Sequence, residues 1–284
     1  MLKFLIFDNL FSQNCKSFTS LYETPKYFQW EVDSEKMQQL VEENVVNLPD
    51  TVVFFSEGYA KYASKVVCRK KILLLLEPSE LHTGVYEEIR EISETFDFIF
   101  THHRNFLDNK KFYYFPFGGC WVEEKDRKIW NKEKIVSAIF SSKNSTEGHS
   151  LRHKIFERFS SHVDFYGEIC DNRIPKKIDG LKSYMFSIVV ENTKEEGYFS
   201  EKLVDCFTTG TIPIFWGCTY VDKIFNSSGI LRFNSLPQLK KILESLSRDL
   251  YFEKLSAVEE NFVTSLNYLV AEDNIWRLYK EKLC

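Results

Sequence analysis

Residues 186–217 read FSIVVENTKEEGYFSEKLVDCFTTGTIPIFWG. Phe186–Val190 is a short apolar run of the kind that a strand buried within a sheet requires. It ends abruptly in the polar pair Glu191-Asn192, and a loop containing Gly197 follows. A helix then starts at Ser200, a good N-cap, with Glu201 and Lys202 in its first turn. A second apolar strand, Ile212–Trp216, closes at Gly217. Strand, helix and strand in this order form a unit whose two strands lie parallel.

The same alternation extends outward in both directions. Upstream, Ile135–Phe140 reads as a strand, Ser141–Gly148 as a polar loop, Leu151–Phe159 as a helix and Val163–Tyr166 as a short strand. A first series precedes it. Its strands are Lys3–Phe7, Tyr27–Val32, Thr51–Phe55, Ile72–Leu76, Asp97–Thr101 and Phe112–Phe115. Helical stretches fall at Ser34–Val46, Tyr59–Val66 and Val85–Thr95. From Leu236 the chain reads as mostly helical. Alternating strands and helices predict parallel sheets covered by helices, and 284 residues suffice for two such domains. Charges cluster without period over Trp121–Lys134, which puts the boundary there: domains 1–130 and 131–284. Gly118-Gly119 in the preceding turn supplies residues that tolerate positive φ. Ligands of open α/β sheets bind beyond the C-terminal strand ends. That rule singles out Glu77, the loop Ser141–Gly148, Glu191-Asn192 and Trp216-Gly217.

Composition narrows the chemistry. With 44% hydrophobic and 27% charged residues the chain is foldable and not disordered. Lys and Arg total 37 against 41 Asp and Glu, a net charge of −4, which argues against a general nucleic-acid binder. Any anionic ligand must therefore find its cations concentrated locally. The seven cysteines are odd in number and form no C-x-x-C pair, so neither a disulfide framework nor a cysteine zinc site is expected. The apolar start stops at Asp8, too short for a signal-peptide core or a membrane span. The reading is a cytoplasmic protein without a transmembrane segment.

Lys202 is unusual where it stands. A cation at a helix N-terminus opposes the macrodipole by about 0.3–1 kcal/mol. A bound anion there would remove the conflict, because free backbone N–H groups already point outward. The same lysine could instead extend into water without any ligand. Arg152 on its helix could likewise make an i,i+4 contact, and Tyr198 and Trp216 could be half-buried aromatics. Glu201 by itself suits the helix dipole. Glu77, ending an apolar strand, would be costly if buried unpaired, and reads equally as half of an ion pair or as a catalytic carboxylate. His102-His103 lie on or next to a strand, where neighbours point to opposite faces, so they make a poor metal pair. No Asp-x-Asp occurs, which counts against a metal-dependent transferase.

Taken together, Glu191-Asn192-Thr193, then Tyr198 with Ser200-Glu201-Lys202, then Gly210, Ile212-Pro213-Ile214 and Gly217 resemble the donor segment of family-10 glycosyltransferases, the α-1,3/4-fucosyltransferases. Ser200 stands where that family usually has Thr. Arg152 and Val163-Asp164-Phe165-Tyr166-Gly167 are similar to its upstream pattern. Glu77-Pro78-Ser79 with His82-Thr83-Gly84 is similar to a more distant motif, out of register by one residue. The resemblance is good over residues 135–235, faint over 70–120 and absent before that.

The resemblance implies a GT-B architecture: α/β, two Rossmann-like domains facing across a cleft, the first binding the acceptor and the second the nucleotide sugar. It implies an inverting transfer, most simply of L-fucose from GDP-fucose to a glycan hydroxyl, without a metal. Arg152 and Lys202 would then neutralise the diphosphate. Asn192 and Tyr198 would line the donor site, and Glu201 would accept hydrogen bonds from donor hydroxyls. Glu77 would be the general base, with Glu80 as its alternative. A UDP-sugar such as UDP-xylose remains open as the donor, and so does a non-catalytic nucleotide-sugar or glycan-binding module. Family relatives in eukaryotes carry a membrane anchor, so its absence here points to a bacterial or viral source.

Overall fold

The computed structural model describes residues 3–8, 16–27, 30–31 and 41–284. Two compact units emerge: Met1–Phe117 together with Val270–Cys284, and Gly118–Leu269.

Among the described residues the first unit is built on six parallel strands, β1 (Lys3–Phe7), β2 (Trp30–Glu31), β3 (Val46–Ser56), β4 (Val66–Leu75), β5 (Phe98–Thr101) and β6 (Phe112–Tyr114), in the order β2-β1-β3-β4-β5-β6. The apolar strands are buried on both faces, and their side chains sort by the two-residue period of a strand. Val52, Phe54, Ile72 and Leu74 join one core, while Val53, Phe55, Leu73 and Leu75 join another. Short helices α1 (Thr83–Glu87) and α2 (Ile89–Ser93) cover the second face through Tyr86 and Ile89.

The second unit carries β7 (Lys134–Ile139), β8 (Asp164–Tyr166), β9 (Tyr184–Val190), β10 (Ile212–Trp216) and β11 (Leu231–Arg232), all parallel, in the order β11-β10-β9-β7-β8. Its helices are α3 (Glu147–Phe159), α4 (Glu201–Phe207), α5 (Leu236–Ser245), α6 (Arg248–Glu253) and α7 (Leu255–Ser265). In both sheets the first strand of the series lies between the second and the third. The order therefore reverses at β1/β3 and at β7/β9, and those reversals open the crevices where α/β sheets take ligands.

Several expectations are refined. The strand expected over Thr51–Phe55 begins at Val46, because Val46–Leu48 pair with Val66–Cys68 across a register shift. Pairing thus carries the strand through Pro49, which has no N–H to give to a ladder. The stretch near Tyr59–Val66 is a 3-10 helix, Glu57–Lys65. The helix expected over Val85–Thr95 is broken at Glu88, which caps both α1 and α2. The helix expected at Ser34–Val46 lies largely outside the described residues.

The domain boundary expected at 130/131 differs from the division between compact units, which falls at Phe117/Gly118. There Gly118 and Gly119 adopt φ of +58° and +102°, conformations that a side chain would strain. The tail also divides. Its last helix, α8 (Ala271–Leu283), leaves the second unit and buries Ala271, Ile275 and Leu283 against the N-terminal sheet. Among the described residues no helix is long and apolar enough to cross a membrane.

Candidate active site

At the β7/β9 reversal the chain brings together all five residues expected to hold a donor. Thr146 caps α3 by accepting the His149 backbone N–H at 3.2 Å. The first turn of α3 lies directly on the end of β9, where the Gly148 N–H donates to the Asn192 carbonyl at 3.0 Å. A Cβ on Gly148 would stand 1.8 Å from the Glu191 carbonyl oxygen, so no other residue permits this approach. One turn further on, Arg152 lies on the same face of the helix. Its guanidinium donates to the Val190 carbonyl from Nε at 3.2 Å and from Nη2 at 2.6 Å, and to Asn192 Oδ1 at 2.9 Å. Arg152 is thus no surface residue: it is 3% exposed and ties α3 to the end of β9. Burial pulls its basicity down, while Glu191, Tyr198 and Glu201 oppose that pull.

Lys202 has partners of its own. Its ammonium lies 3.0 Å from Ser200 Oγ, 3.4 Å from Glu201 Oε1 and 3.8 Å from Glu191 Oε2. Carboxylates in the protein therefore answer the conflict with the helix dipole. Glu191 is fully buried and accepts both the N–H of Ser200 at 2.9 Å and its hydroxyl at 2.7 Å. These bonds set the entry of α4 onto the end of β9.

Glu201 leads to a second cation. Lys177, on the 3-10 helix Lys177–Gly180, reaches Glu201 Oε1 at 3.0 Å and Asp205 Oδ2 at 2.9 Å. Its ammonium also stands 4.4 Å from the centre of the Trp121 ring, while the Trp121 backbone N–H donates to Asp205 Oδ1 at 2.6 Å. Burial alone would lower the Lys177 basicity, but Asp205 and Glu201 outweigh it and hold the ammonium above its ordinary value. For Glu201 burial pushes upward, and the lysines Lys177 and Lys202 prevail, keeping the carboxylate ionised. The result is an alternating chain, Glu191–Lys202–Glu201–Lys177–Asp205.

Arg152, Lys143 and Lys202 lie within electrostatic reach of His149 at the start of α3. Burial, then Arg152, Lys143, Lys202 and His153, pull His149 down to about 4, so its ring is neutral near pH 7. Its Nδ1 lies 3.1 Å from Ser145 Oγ. Tyr198 is buried at 1% exposure within electrostatic reach of Arg152. Trp216, read as half-buried, is buried at 2%.

Glu77 stands apart, in the first unit, two residues beyond β4. It is half-buried, whereas Glu80 is exposed. Its backbone N–H donates to Glu57 Oε1 at 2.6 Å and its carbonyl accepts the Tyr86 hydroxyl at 2.9 Å. Glu57 is 4% exposed. Burial pushes it well above the ordinary carboxylate range, and Glu77 and Asp8 add to the rise. Among the described residues no group of three or more His, Cys, Asp or Glu side chains is arranged to hold a metal ion.

Sequence reasoning singled out Glu191 by its place after an apolar strand but gave its carboxylate no role. It also missed Lys177, Asp205 and Glu57. No local signal marks Lys177, which lies 24 positions before Glu201.

These two Rossmann-like α/β units define the class, a GT-B-type glycosyltransferase fold. A solved α1,3-fucosyltransferase with GDP-fucose superposes with a TM-score of 0.57 at 14% identity, covering 99% of this chain and 90% of that one. An α,α-trehalose-phosphate synthase (UDP-forming) from Burkholderia vietnamiensis does so with a TM-score of 0.58 at 13% identity, over 83% and 73% of the two chains. More particularly, residues 129–255 match the family described as Glycosyltransferase family 10 (fucosyltransferase) C-term. The resemblance read from residues 135–235 therefore holds. An alpha-(1,3)-fucosyltransferase of Helicobacter pylori is 28% identical over 96 residues, 34% of this chain and 20% of that protein. The chain thus aligns with about a fifth of this curated relative's length.

Proposed function

We propose that the chain is an inverting fucosyltransferase that moves L-fucose from GDP-fucose to a hydroxyl of a glycan acceptor. The observation that carries this reading is the β7/β9 crevice. There the capped N-terminus of α3 meets Arg152 and Lys202, whose charges add to burial in pulling His149 down. Backbone N–H groups and fixed cations at one sheet edge suit a diphosphate. The GDP-fucose held by a structural relative is consistent with it.

In the proposed mechanism Arg152 and Lys202 stabilise the diphosphate as it leaves, while Asn192 and Tyr198 line the donor site. Glu201, kept ionised by its two lysines, accepts hydrogen bonds from sugar hydroxyls. The second unit thus binds the donor and the first unit the acceptor. Glu77 takes the proton from the acceptor hydroxyl as its oxygen attacks C1 on the face opposite the diphosphate. That single displacement inverts the anomeric centre. Positive groups of the protein do the electrostatic work at the leaving group, so no divalent ion is required.

A donor panel tests the reading. GDP-fucose, GDP-mannose, UDP-xylose and UDP-glucose are compared by binding and by nucleotide release. GDP-fucose should bind best and alone release nucleotide at an appreciable rate. Preference for a UDP-sugar would overturn the donor assignment, and binding without release would leave a non-catalytic module.

A further inference from the structure

We propose that Glu57 and Tyr86 are positioning residues that clamp Glu77 from both sides of its backbone, a role that rests on reading Glu77 as the general base. The β4–β5 ladder ends at the pair Leu75–Thr101. Beyond it, the polar backbone groups of Glu77 need partners from elsewhere. Glu57 supplies the first by accepting the Glu77 N–H at 2.6 Å, and Tyr86 the second by donating its hydroxyl to the Glu77 carbonyl at 2.9 Å.

Both clamping residues are themselves held. Glu57 directly follows β3, whose Ser56 pairs with Leu74 of the neighbouring strand. Its side chain therefore spans the ends of β3 and β4, one strand over from the β1/β3 reversal. Tyr86 is 8% exposed in the core under the second face, and its ring centre lies 5.9 Å from that of His103 and 6.1 Å from that of Phe106. A rigid core thus fixes where the Glu77 side chain begins. Burial pushes the Glu57 carboxyl well above its ordinary range, and its Oε1 can accept the Glu77 N–H whether or not the group is ionised.

The clamp explains placement that the sequence motif does not. Glu77 precedes Pro78, whose ring lacks an N–H and which restricts the backbone of the residue before it. The two hydrogen bonds fasten the peptide groups on either side of that residue. A displacement of about 1 Å at a reacting group can lower a rate by about 10²-fold.

The test is the initial rate of GDP release from GDP-fucose, with water as acceptor, by the full chain and its variants. Glu77→Gln is measured first as the reference. Glu57→Ala should lower kcat by about 10- to 100-fold with the KM for GDP-fucose within about twofold. Glu57→Gln keeps the acceptor oxygen and should recover most of that loss. Tyr86→Phe, which preserves the packed ring, should lower kcat by about 3- to 10-fold. If Glu57→Ala fails to fold, Tyr86→Phe and Glu57→Gln still decide. An unchanged kcat in Tyr86→Phe, or a Glu57→Gln rate as low as that of Glu77→Gln, overturns the clamp. If Glu77→Gln is impaired while Glu57→Ala and Tyr86→Phe are normal, the clamp fails and Glu77 stands. If Glu77→Gln keeps a normal rate, the assignment of Glu77 fails and takes the clamp with it.

Discussion

The two sheets reverse their strand order at corresponding places, yet the side chains at those reversals differ sharply in charge. At β7/β9, Arg152, Lys177 and Lys202 alternate with Glu191, Glu201 and Asp205, and a capped helix start stands among them. Beyond β1, β3 and the neighbouring β4 the groups are carboxyls, Asp8, Glu57 and Glu77 respectively, with Glu272 of α8 within reach of Asp8. One topology therefore supports two chemistries. In the proposed reaction the first crevice holds the diphosphate and the second removes the proton of the acceptor hydroxyl. Crevices are given by strand order, whereas function comes from the side chains grafted there.

The contrast can be broken most forcefully at Glu77. Glu77→Gln should lower kcat by about 10²–10⁴-fold, the usual yield of general-base catalysis, with donor affinity unchanged. Steady-state kinetics and a separate GDP-binding titration decide it. If Glu80→Gln is impaired instead, the base is Glu80.

On the other side, Lys177→Met leaves Glu201 and Asp205 without their shared cation. Removing one partner of a largely buried ion pair costs about 3–5 kcal/mol. Urea denaturation should show that loss, and Asp205→Asn in the same chain should restore part of it. Equal stability of the single variant and the parent would deny the network its structural role.

A smaller effect is expected at the diphosphate. Lys202→Ala should weaken GDP-fucose binding by about 1.5–3 kcal/mol, the range for hydrogen bonds to charged groups. Arg152→Ala should weaken it as well, and calorimetry measures both. Unchanged affinity in the two variants would remove the diphosphate from this crevice. EDTA should leave nucleotide release intact. Loss of release in EDTA, with recovery on adding Mn²⁺ or Mg²⁺, would refute the metal-free mechanism.

The acidic side makes a prediction about pH. Burial pushes Glu272 up to about 8, against the bond it accepts from the Phe18 N–H. Between about pH 4.5 and 8 the folded chain keeps this proton while the unfolded chain has lost it. The stabilisation is complete below that window and fades as pH rises through it. Glu272→Gln should flatten the fall in urea midpoint from pH 5 to pH 8. An equally steep fall in the variant would assign the dependence to other groups.

Much of the C-terminal unit was legible because its signals are local. Ile212–Trp216 runs as read, and Ser200 caps α4 as its sequence suggests. The donor-segment residues read together also come together in space. The N-terminal unit was less legible. The strand expected from Thr51 begins at Val46, where pairing with Val66–Cys68 draws the preceding residues into the sheet.

Periodicity and punctuation, acting over a few residues, determined the alternation of strands and helices, the two-unit plan and the clustering of polar residues after apolar strands. Those are short-range properties of the backbone and of hydrophobic spacing. Contacts between distant parts of the chain lay beyond that reach. Only the tertiary structure decided that α8 belongs with the first sheet, that Lys177 serves Glu201 and that Glu57 holds Glu77. Each depends on strand order, which sets side chains far apart in sequence at a single sheet edge. No local pattern records which edge that will be.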